Sequence, residues 1–163
     1  MGFLSSFDIN GYGLSAQRAR INVISSNIAN ANTTRTAEGG PYRRQEVLFK
    51  AVNFDEVLNA ELEKNNDSLK YEDPLKEGER GKVPTPPVMS VVVDKIVRDD
   101  SEPKMKYDPA HPDADSKGYV AYPNINPVVE MADLIEATRS YQANVSAVQS
   151  VKTMVENAIS IMS

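Results

Sequence analysis

The fold is decided by residues 126–163, which read NPVVEMADLIEATRSYQANVSAVQSVKTMVENAISIMS. Residues 128–163 contain neither glycine nor proline over 36 positions. At 1.5 Å per residue they are long enough for a helix of about 54 Å. Asn126 is a favourable capping residue, Pro127 suits the first helical position, and Glu130 lies near the positive end of the helix dipole. The sequence therefore predicts one long C-terminal helix.

Apolar residues recur along this helix at alternating spacings of three and four, which is the heptad pattern of a packing seam. Residues 1–33 carry a matching seam. Gly11 and Gly13 weaken the first turns of this segment, so we expect a firm helix only from about Leu14. We therefore expect an antiparallel, coiled-coil-like pair between residues 1–33 and 126–163. The two seams are Phe3, Phe7, Asn10, Leu14, Gln17, Ile21, Ile24, Ile28 and Ala31, and Met131, Leu134, Thr138, Tyr141, Val145, Val148, Lys152, Val155, Ile159 and Met162.

Further apolar residues lie outside both seams. An isolated helix pair would leave them in water, so this second stripe predicts additional neighbours, either the middle of the chain or other subunits. These residues are Ile9, Ala16 and Val23 in the first helix, and Val128, Ile135, Ala137, Val151, Ala158 and Ile161 in the second.

The seams and the polar residues beside them form the expected assembly interface. Asn27 and Asn30 are three apart, so they share a helix face and are expected to hydrogen-bond across a subunit boundary. The alternative is that asparagine ends the helix near residues 30–32. The expected interface comprises Leu14, Ile21, Ile24, Asn27, Ile28, Asn30, Leu134, Tyr141, Val145, Val148, Val155 and Ile159.

The middle of the chain, residues 34–125, is rich in proline and in β-branched side chains, which together predict a small β-rich domain. We expect residues 104–107 to return across a turn at 99–103 and pair with 88–98. A highly charged insertion covers 54–82, with a short helix at 54–64. The expected strands are 45–50, 88–98, 104–107 and 118–122. The predicted fold class is α+β.

The composition excludes several functional classes. The chain has 163 residues, 18 basic and 23 acidic side chains, one histidine and no cysteine. No basic stripe indicates nucleic-acid binding, and no long uncharged apolar run indicates direct membrane insertion. Without cysteine there are no disulfides or thiolate metal sites. No catalytic or cofactor-binding motif is present, so we expect a protein that is not an enzyme and has no cofactor.

One cluster combines aspartate carboxylates, which are hard metal ligands, with the single histidine of the sequence. It could in principle hold a metal ion, and Asp113, Asp115 and Gly118 match the first, third and sixth positions of a calcium loop. Lys117 at the fifth position and Asn124 at the twelfth break that pattern. We therefore favour a turn held by proline and by Asx hydrogen bonds, with a metal-dependent enzyme as a distant alternative. The cluster comprises Asp108, Pro109, His111, Pro112, Asp113 and Asp115.

Residues 14–34, LSAQRARINVISSNIANANTT, resemble the N-terminal signature of the flagellar axial proteins, the rod and hook family. Residues 126–144 resemble the closing helix of that family. The middle motifs YDPAHPDAD at 107–115 and GYVAYPN at 118–124 are similar to its proximal rod members. The resemblance covers roughly residues 10–50 and 104–160.

This resemblance implies a structural subunit of the basal-body rod, which assembles through its terminal helices and transmits torque from the motor to the hook. The implied partners are other rod subunits, further copies of the chain and the flagellar type III export apparatus. The implied location is the periplasm-spanning rod, reached without a cleaved signal peptide. The N-terminal residues lack a secretory signal pattern, which agrees with that route. A distal rod or hook protein and a non-flagellar helical adaptor remain as alternatives.

Overall fold

The computed structural model describes residues 3–53 and 89–162, and its elements confirm the α+β class. The expected helix at 54–64 and the charged insertion at 54–82 lie outside the described residues. In chain order the elements are α1 (Phe3–Ala29), β1 (Gln45–Asn53), β2 (Met89–Arg98), β3 (Lys104–Tyr107), β4 (Tyr119–Tyr122) and α2 (Pro127–Met162).

The start of α2 confirms the predicted cap. Asn126 Oδ1 accepts a hydrogen bond from the backbone N–H of Val128 at 3.1 Å, and the backbone N–H of Glu130 donates to Asn126 O at 3.1 Å. Pro127 occupies the first helical position, where a missing N–H costs nothing. From there the helix continues for 36 residues.

The start of α1 corrects an expectation. The helix begins at Phe3 and not near Leu14, and it includes both Gly11 and Gly13. Tertiary packing explains the second glycine, because a Cβ atom at Gly13 would lie only 3.1 Å from Asn144 Nδ2 of α2. The close approach of α2 therefore outweighs the low helix propensity of glycine.

The two helices pack as the expected antiparallel pair. Asn27 lies beside Glu130, Arg20 beside Glu136, and Gly13 beside Asn144, so the numbers of paired residues add to 156 or 157. This register places Phe3 level with Met154. Residues 155–162 of α2 therefore extend about 12 Å past the first described residue of α1.

The buried centre of the helix pair lies partly on the predicted seam, where Ile24 and Ala31 are buried, and partly outside it. Ala16, Val23 and Asn27 of α1 and Glu130 and Ala137 of α2 are buried. Most members of the seam expected on α2 are half-buried and not fully buried. Ala16 and Ala137 are the small members of this buried set, and small side chains allow two helix backbones to approach closely. The half-buried members of that seam are Leu134, Thr138, Tyr141, Val145, Val148 and Val155.

Residues outside the seams divide into two groups. Ala16, Val23 and Ala137 are buried inside the chain, and α1 contacts β1 and β2, so neighbours for the first helix come at least in part from the middle of the chain, which was one of the two expected sources. Val151 of α2 is half-buried. Apolar side chains remain exposed on α2 at Val128, Ile135, Ala158 and Ile161, and for them a contact with other subunits stays a prediction.

The strands form two separate antiparallel pairs, β1 with β2 and β3 with β4. The predicted pairing of residues 104–107 with 88–98 is therefore wrong. Asp99 N donates to Arg44 O at 2.8 Å and continues the β1–β2 pairing past β2, while Asp108 N donates to Gly118 O at 2.9 Å and closes the β3–β4 hairpin. Contacts join α1 to both β1 and β2, so the first strand pair lies against the first helix.

Candidate functional site

A buried polar junction joins the helix pair to β1. Its centre is Asn27, which is 0% exposed. The Asn27 Nδ2 group donates to Gln45 O at 2.8 Å and to Glu130 Oε2 at 3.0 Å. Its Oδ1 atom accepts from Gln45 N at 2.9 Å and from the Tyr42 hydroxyl at 3.2 Å. One side chain thus connects α1, α2, β1 and the segment before β1.

The junction also contains a charge pair between a buried carboxylate and a half-buried guanidinium. Glu130 is 1% exposed, and its Oε1 atom accepts from Arg44 Nε at 2.6 Å. Burial of the Arg44 guanidinium opposes its charge, but the hydrogen bond and attraction of Glu130 outweigh this and raise the pKa of Arg44. Removing Arg44 would leave the buried charge of Glu130 without its partner, so the guanidinium stabilises that carboxylate in place.

The structure corrects the expected roles of the two asparagines. All four hydrogen-bonding positions of the Asn27 amide are used within the chain, so the predicted bond across a subunit boundary is wrong for this residue. Asn30 Nδ2 donates to Ser26 O at 2.9 Å, and Asn30 Oδ1 accepts from Thr33 Oγ1 at 3.2 Å. These bonds satisfy groups at the end of α1, so the alternative of helix termination by asparagine is confirmed.

The turn between β3 and β4 contains the cluster singled out in the sequence. Asp115 Oδ1 accepts from the backbone N–H groups of Lys117 and Tyr119, both at 2.8 Å. These two bonds are the expected Asx contacts. The bond from Tyr119 N–H is the main reason that the pKa of Asp115 is lowered. Gly118 has φ of +80°, and a Cβ there would lie 2.9 Å from Tyr107 Cε2, so glycine is required on two grounds.

The remaining members of the turn bind protein atoms. Asp113 Oδ2 accepts from Thr34 Oγ1 at 2.8 Å, and Arg35 lies 3.8 Å from Asp113 Oδ1. His111 Nδ1 accepts from Asp113 N at 3.1 Å, and His111 N donates to Asp108 O at 3.2 Å. Across the described ranges, no three His, Asp or Glu side chains converge as a metal site would require. The turn fastens the β3–β4 hairpin to the segment that follows α1.

The surface of α2 carries two groups of exposed apolar side chains at its ends. We name Val128, Met131 and Ile135 the base patch, and Met154, Ala158 and Ile161 the tip patch. Val128 is 74% exposed, Ile135 is 56% exposed and Ile161 is 85% exposed, which are high fractions for large apolar residues. In the part of the chain that is described, neither helix has the length and hydropathy needed to span a membrane.

The expected interface residues occupy different positions from these patches. Ile24 and Asn27 are buried, and Ile159 is exposed. The others are half-buried along the helix pair: Leu14, Ile21, Ile28, Asn30, Leu134, Tyr141, Val145, Val148 and Val155. Their contact with other subunits stays a prediction. Sequence reasoning missed Arg44, Tyr42 and Gln45 at the junction, because only the tertiary fold brings them to Asn27.

Two family models match the ends of the chain. Residues 8–35 match a model described as flagella basal body rod protein, and residues 116–161 match one described as flagellar basal body rod FlgEFG protein C-terminal. The chain is 43% identical to the flagellar basal-body rod protein FlgC of Borreliella burgdorferi, with 99% of each chain covered. It is 38% identical to that of Bacillus subtilis, covering 96% of this chain and 95% of the relative. It is 34% identical to that of Escherichia coli O157:H7, covering 99% of this chain and 98% of the relative.

Proposed function

Since the chain belongs to the FlgC family of flagellar basal-body rod proteins, we propose that it is joined to neighbouring subunits of the rod through its two terminal helices. It is a structural subunit of the proximal rod. The observation that carries the proposal is the set of large apolar side chains that α2 leaves exposed after α1 has packed against it. Burying such side chains against a neighbour releases roughly 25 cal/mol per Å² of apolar area, before the cost of ordering the partners.

The proposed mechanical role is to transmit torque from the motor to the hook. A shaft that carries torque needs each subunit to keep a fixed orientation. The pair of Glu130 and Arg44, with Asn27 between the helices and β1, resists rotation of the helix pair relative to the strands. A buried network with every partner satisfied has one favoured geometry, which supports a rigid subunit.

The proposed partners are further copies of the chain, other rod subunits and the flagellar type III export apparatus. The proposed location is the periplasm-spanning part of the basal body, reached without a cleaved signal peptide. Its relatives are named as rod proteins, so the proposed role includes neither catalysis nor a cofactor. A non-flagellar adaptor would differ from this role, because its assembly would stop at a defined number of subunits.

Complementation of a strain that lacks its own copy tests the proposal. We expect the wild-type chain to restore motility and to be present in isolated basal bodies. Ile135→Asp adds a charge to the base patch and should abolish both, whereas Gln142→Asp adds the same charge to an exposed polar position of α2 and should leave both unchanged. Both variants should keep the wild-type free energy of unfolding within about 0.5 kcal/mol, because both sites are exposed. Normal rods and motility with Ile135→Asp would contradict the proposal.

A further inference from the structure

One glycine of α1 has no packing reason in the single chain. Gly13 is explained by Asn144, whose side chain occupies the space that a Cβ atom would need. Gly11 is exposed, and a Cβ atom there would have no neighbour within 4 Å. Glycine in a helix interior costs about 1 kcal/mol relative to alanine. Gly11 therefore weakens α1 at a point where no described atom fills the space beside it.

The residue before this glycine gives the position a chemical property. Asn10 and Gly11 form the one asparagine–glycine pair of the sequence. In such a pair the glycine nitrogen attacks the side-chain amide carbon of asparagine, because no Cβ hinders the approach and the glycine backbone turns freely. A bond forms between the Gly11 nitrogen and Asn10 Cγ, and the bond from Cγ to Nδ2 breaks. The amide group takes the proton of the Gly11 nitrogen and leaves as ammonia. Water then opens the succinimide ring on either side and gives aspartate or isoaspartate.

The helix prevents this reaction while it is folded. In an α-helix the N–H of residue 11 donates to the carbonyl oxygen of residue 7, so the Gly11 nitrogen is held along the helix axis. A five-membered ring between Asn10 and Gly11 does not fit the helical backbone angles. Attack on Asn10 Cγ therefore requires the first turns of α1 to open.

The first turns of α1 are also the part of this helix that opens most easily. Residues 7–15 include no buried residue, whereas Ala16 and Val23 are buried. Local opening costs least where few side chains are buried. By the register of the helix pair, the half-buried Asn10 lies within one turn of the level of Val148. The folding of α1 around Asn10 thus depends on its pairing with α2.

We propose that Asn10 is a deamidation site that is protected only while the start of α1 is paired with α2. In the free chain, opening of these turns exposes the pair of Asn10 and Gly11, and Asn10 is converted to aspartate and isoaspartate. Isoaspartate adds a methylene group to the backbone, which interrupts the i to i−4 hydrogen bonds across residue 10. Copies that have formed isoaspartate therefore lose the first turns of the helix pair. In the rod, neighbouring subunits slow the opening, and this part of the inference rests on the proposed function.

Mass spectrometry of the purified full chain tests the site. Dilute protein is incubated in mildly alkaline buffer and digested, and aspartate and isoaspartate are quantified at Asn10 and at Asn22. Asn22 is exposed on the same helix but precedes the branched Val23, so we expect deamidation at Asn10 and none at Asn22 over the same period. The rate at Asn10 in urea gives the upper limit, and the rate in native buffer should be lower but measurable. Gly11→Ala should suppress the reaction in both buffers, including urea, where no helix remains to be stabilised.

Two variants of α2 test protection by the helix pair. Val148→Asp weakens the pair and leaves Asn10 and Gly11 unchanged. It should accelerate deamidation in native buffer by at least about fivefold, which corresponds to roughly 1 kcal/mol less cost of opening. Ser146→Asp adds the same charge to the polar middle of the outward face of α2, where Gln142 and Gln149 are also exposed. Its rate should stay within about twofold of wild type.

Each outcome supports or contradicts the proposal. A wild-type chain that reacts in urea but not in native buffer would show that α1 does not open there. Equal rates for wild type and Val148→Asp would show that α2 gives no protection, and either result overturns the proposal. In isolated basal bodies Asn10 should react at least about tenfold more slowly than in the free chain, and an equal rate would overturn protection by assembly. Absence of the wild-type chain from basal bodies would reject the proposed function and leave the reaction of the free chain as measured.

Discussion

The glycine of the β3–β4 turn shows how one residue can be required by both backbone and packing. Gly118 has φ of +80°, and a Cβ atom added to it would lie 2.9 Å from Tyr107 Cε2 and 3.2 Å from Pro109 Cβ. Gly39 has φ of +88°, but a Cβ atom there would have no neighbour within 4 Å. We expect Gly118→Ala to lower the free energy of unfolding by about 2–3 kcal/mol and Gly39→Ala by only about 1 kcal/mol. Urea titration measures both, and equal losses would show that the contacts are unimportant.

The carboxylate of the same turn gives a prediction about pH. Hydrogen bonds, first from Tyr119 N–H, lower the pKa of Asp115 below its ordinary value of 3.8. The charged form therefore stabilises the fold above about pH 3.8, and this contribution is lost as the pH falls through the lower pKa of the folded chain. Asp115→Asn should be less stable than wild type at pH 7, with a difference that shrinks below about pH 3.8. Urea midpoints between about pH 2.5 and 7 are the measurement. Asp8→Asn, on α1, controls for the loss of one negative charge, and a difference independent of pH would refute the assignment.

The junction asparagine is predicted to act on the single chain. Asn27→Ala removes partners from the backbone of Gln45 and from the buried carboxylate of Glu130. We expect a loss of about 2–4 kcal/mol in the free energy of unfolding, because buried polar groups are left without hydrogen bonds. Asn32→Ala, at an exposed position beyond α1, should change it by less than about 0.5 kcal/mol. Thermal unfolding of dilute protein distinguishes the two. An Asn27→Ala chain as stable as wild type would mean that the residue matters only in the assembled rod.

At the scale of elements, helices were predictable because their signals are local. The cap at Asn126, proline at position 127 and the absence of breakers lie within one segment, and α2 begins where they predict. The pairing of strands was not predictable in the same way. Residues 104–107 could pair with 88–98 or with 119–122. In the structure β2 pairs with β1, which lies much earlier in the chain, and β3 pairs with β4. Register between distant strands depends on tertiary packing, which periodicity does not report.

The position of the helix seam was predicted only in part for a related reason. A heptad count favours large apolar residues, whereas Ala137 is fully buried and Gly13 lies against Asn144. The contacts of the junction were harder still to predict from the sequence, because Arg44 and Glu130 are 86 positions apart and no spacing rule connects them.

The position of Val148 along the helix pair gives this side chain a role inside the single chain. It is half-buried along the helix pair, so Val148→Asp should lower the helical circular dichroism signal of dilute protein and the free energy of unfolding by about 1–3 kcal/mol. Ser146→Asp places the same charge two residues away on the exposed face and should have little effect on either quantity. A Val148→Asp chain with an unchanged spectrum and stability would show that this side chain contributes only to contacts between subunits.

At the scale of the whole molecule, the buried residues are concentrated at one end of the helix pair. Asn27, Glu130, Ala137, Val120 and Ile125 are all buried, whereas α2 beyond residue 155 is exposed. Stability should therefore fall along α2 from the junction to the tip, because local opening is easiest where few side chains are buried. The subunit is expected to be rigid where it joins its own strands and loose where it meets other copies.

Amide hydrogen exchange on dilute protein, shown to be monomeric by sedimentation, measures this gradient. We expect the strongest protection of α2 near Ala137, and exchange at 155–162 close to the rate of an unstructured peptide, because that segment extends past α1. In isolated basal bodies the same segment should become protected by at least about tenfold, since burial there adds more than about 1.4 kcal/mol to the cost of opening. The base residues 128–135 should gain protection too, while the polar middle of the outward face changes least. Uniform protection along α2 in a proven monomer would mean that the tip is already stable without a neighbour, and that the rod needs no tip contact to order it.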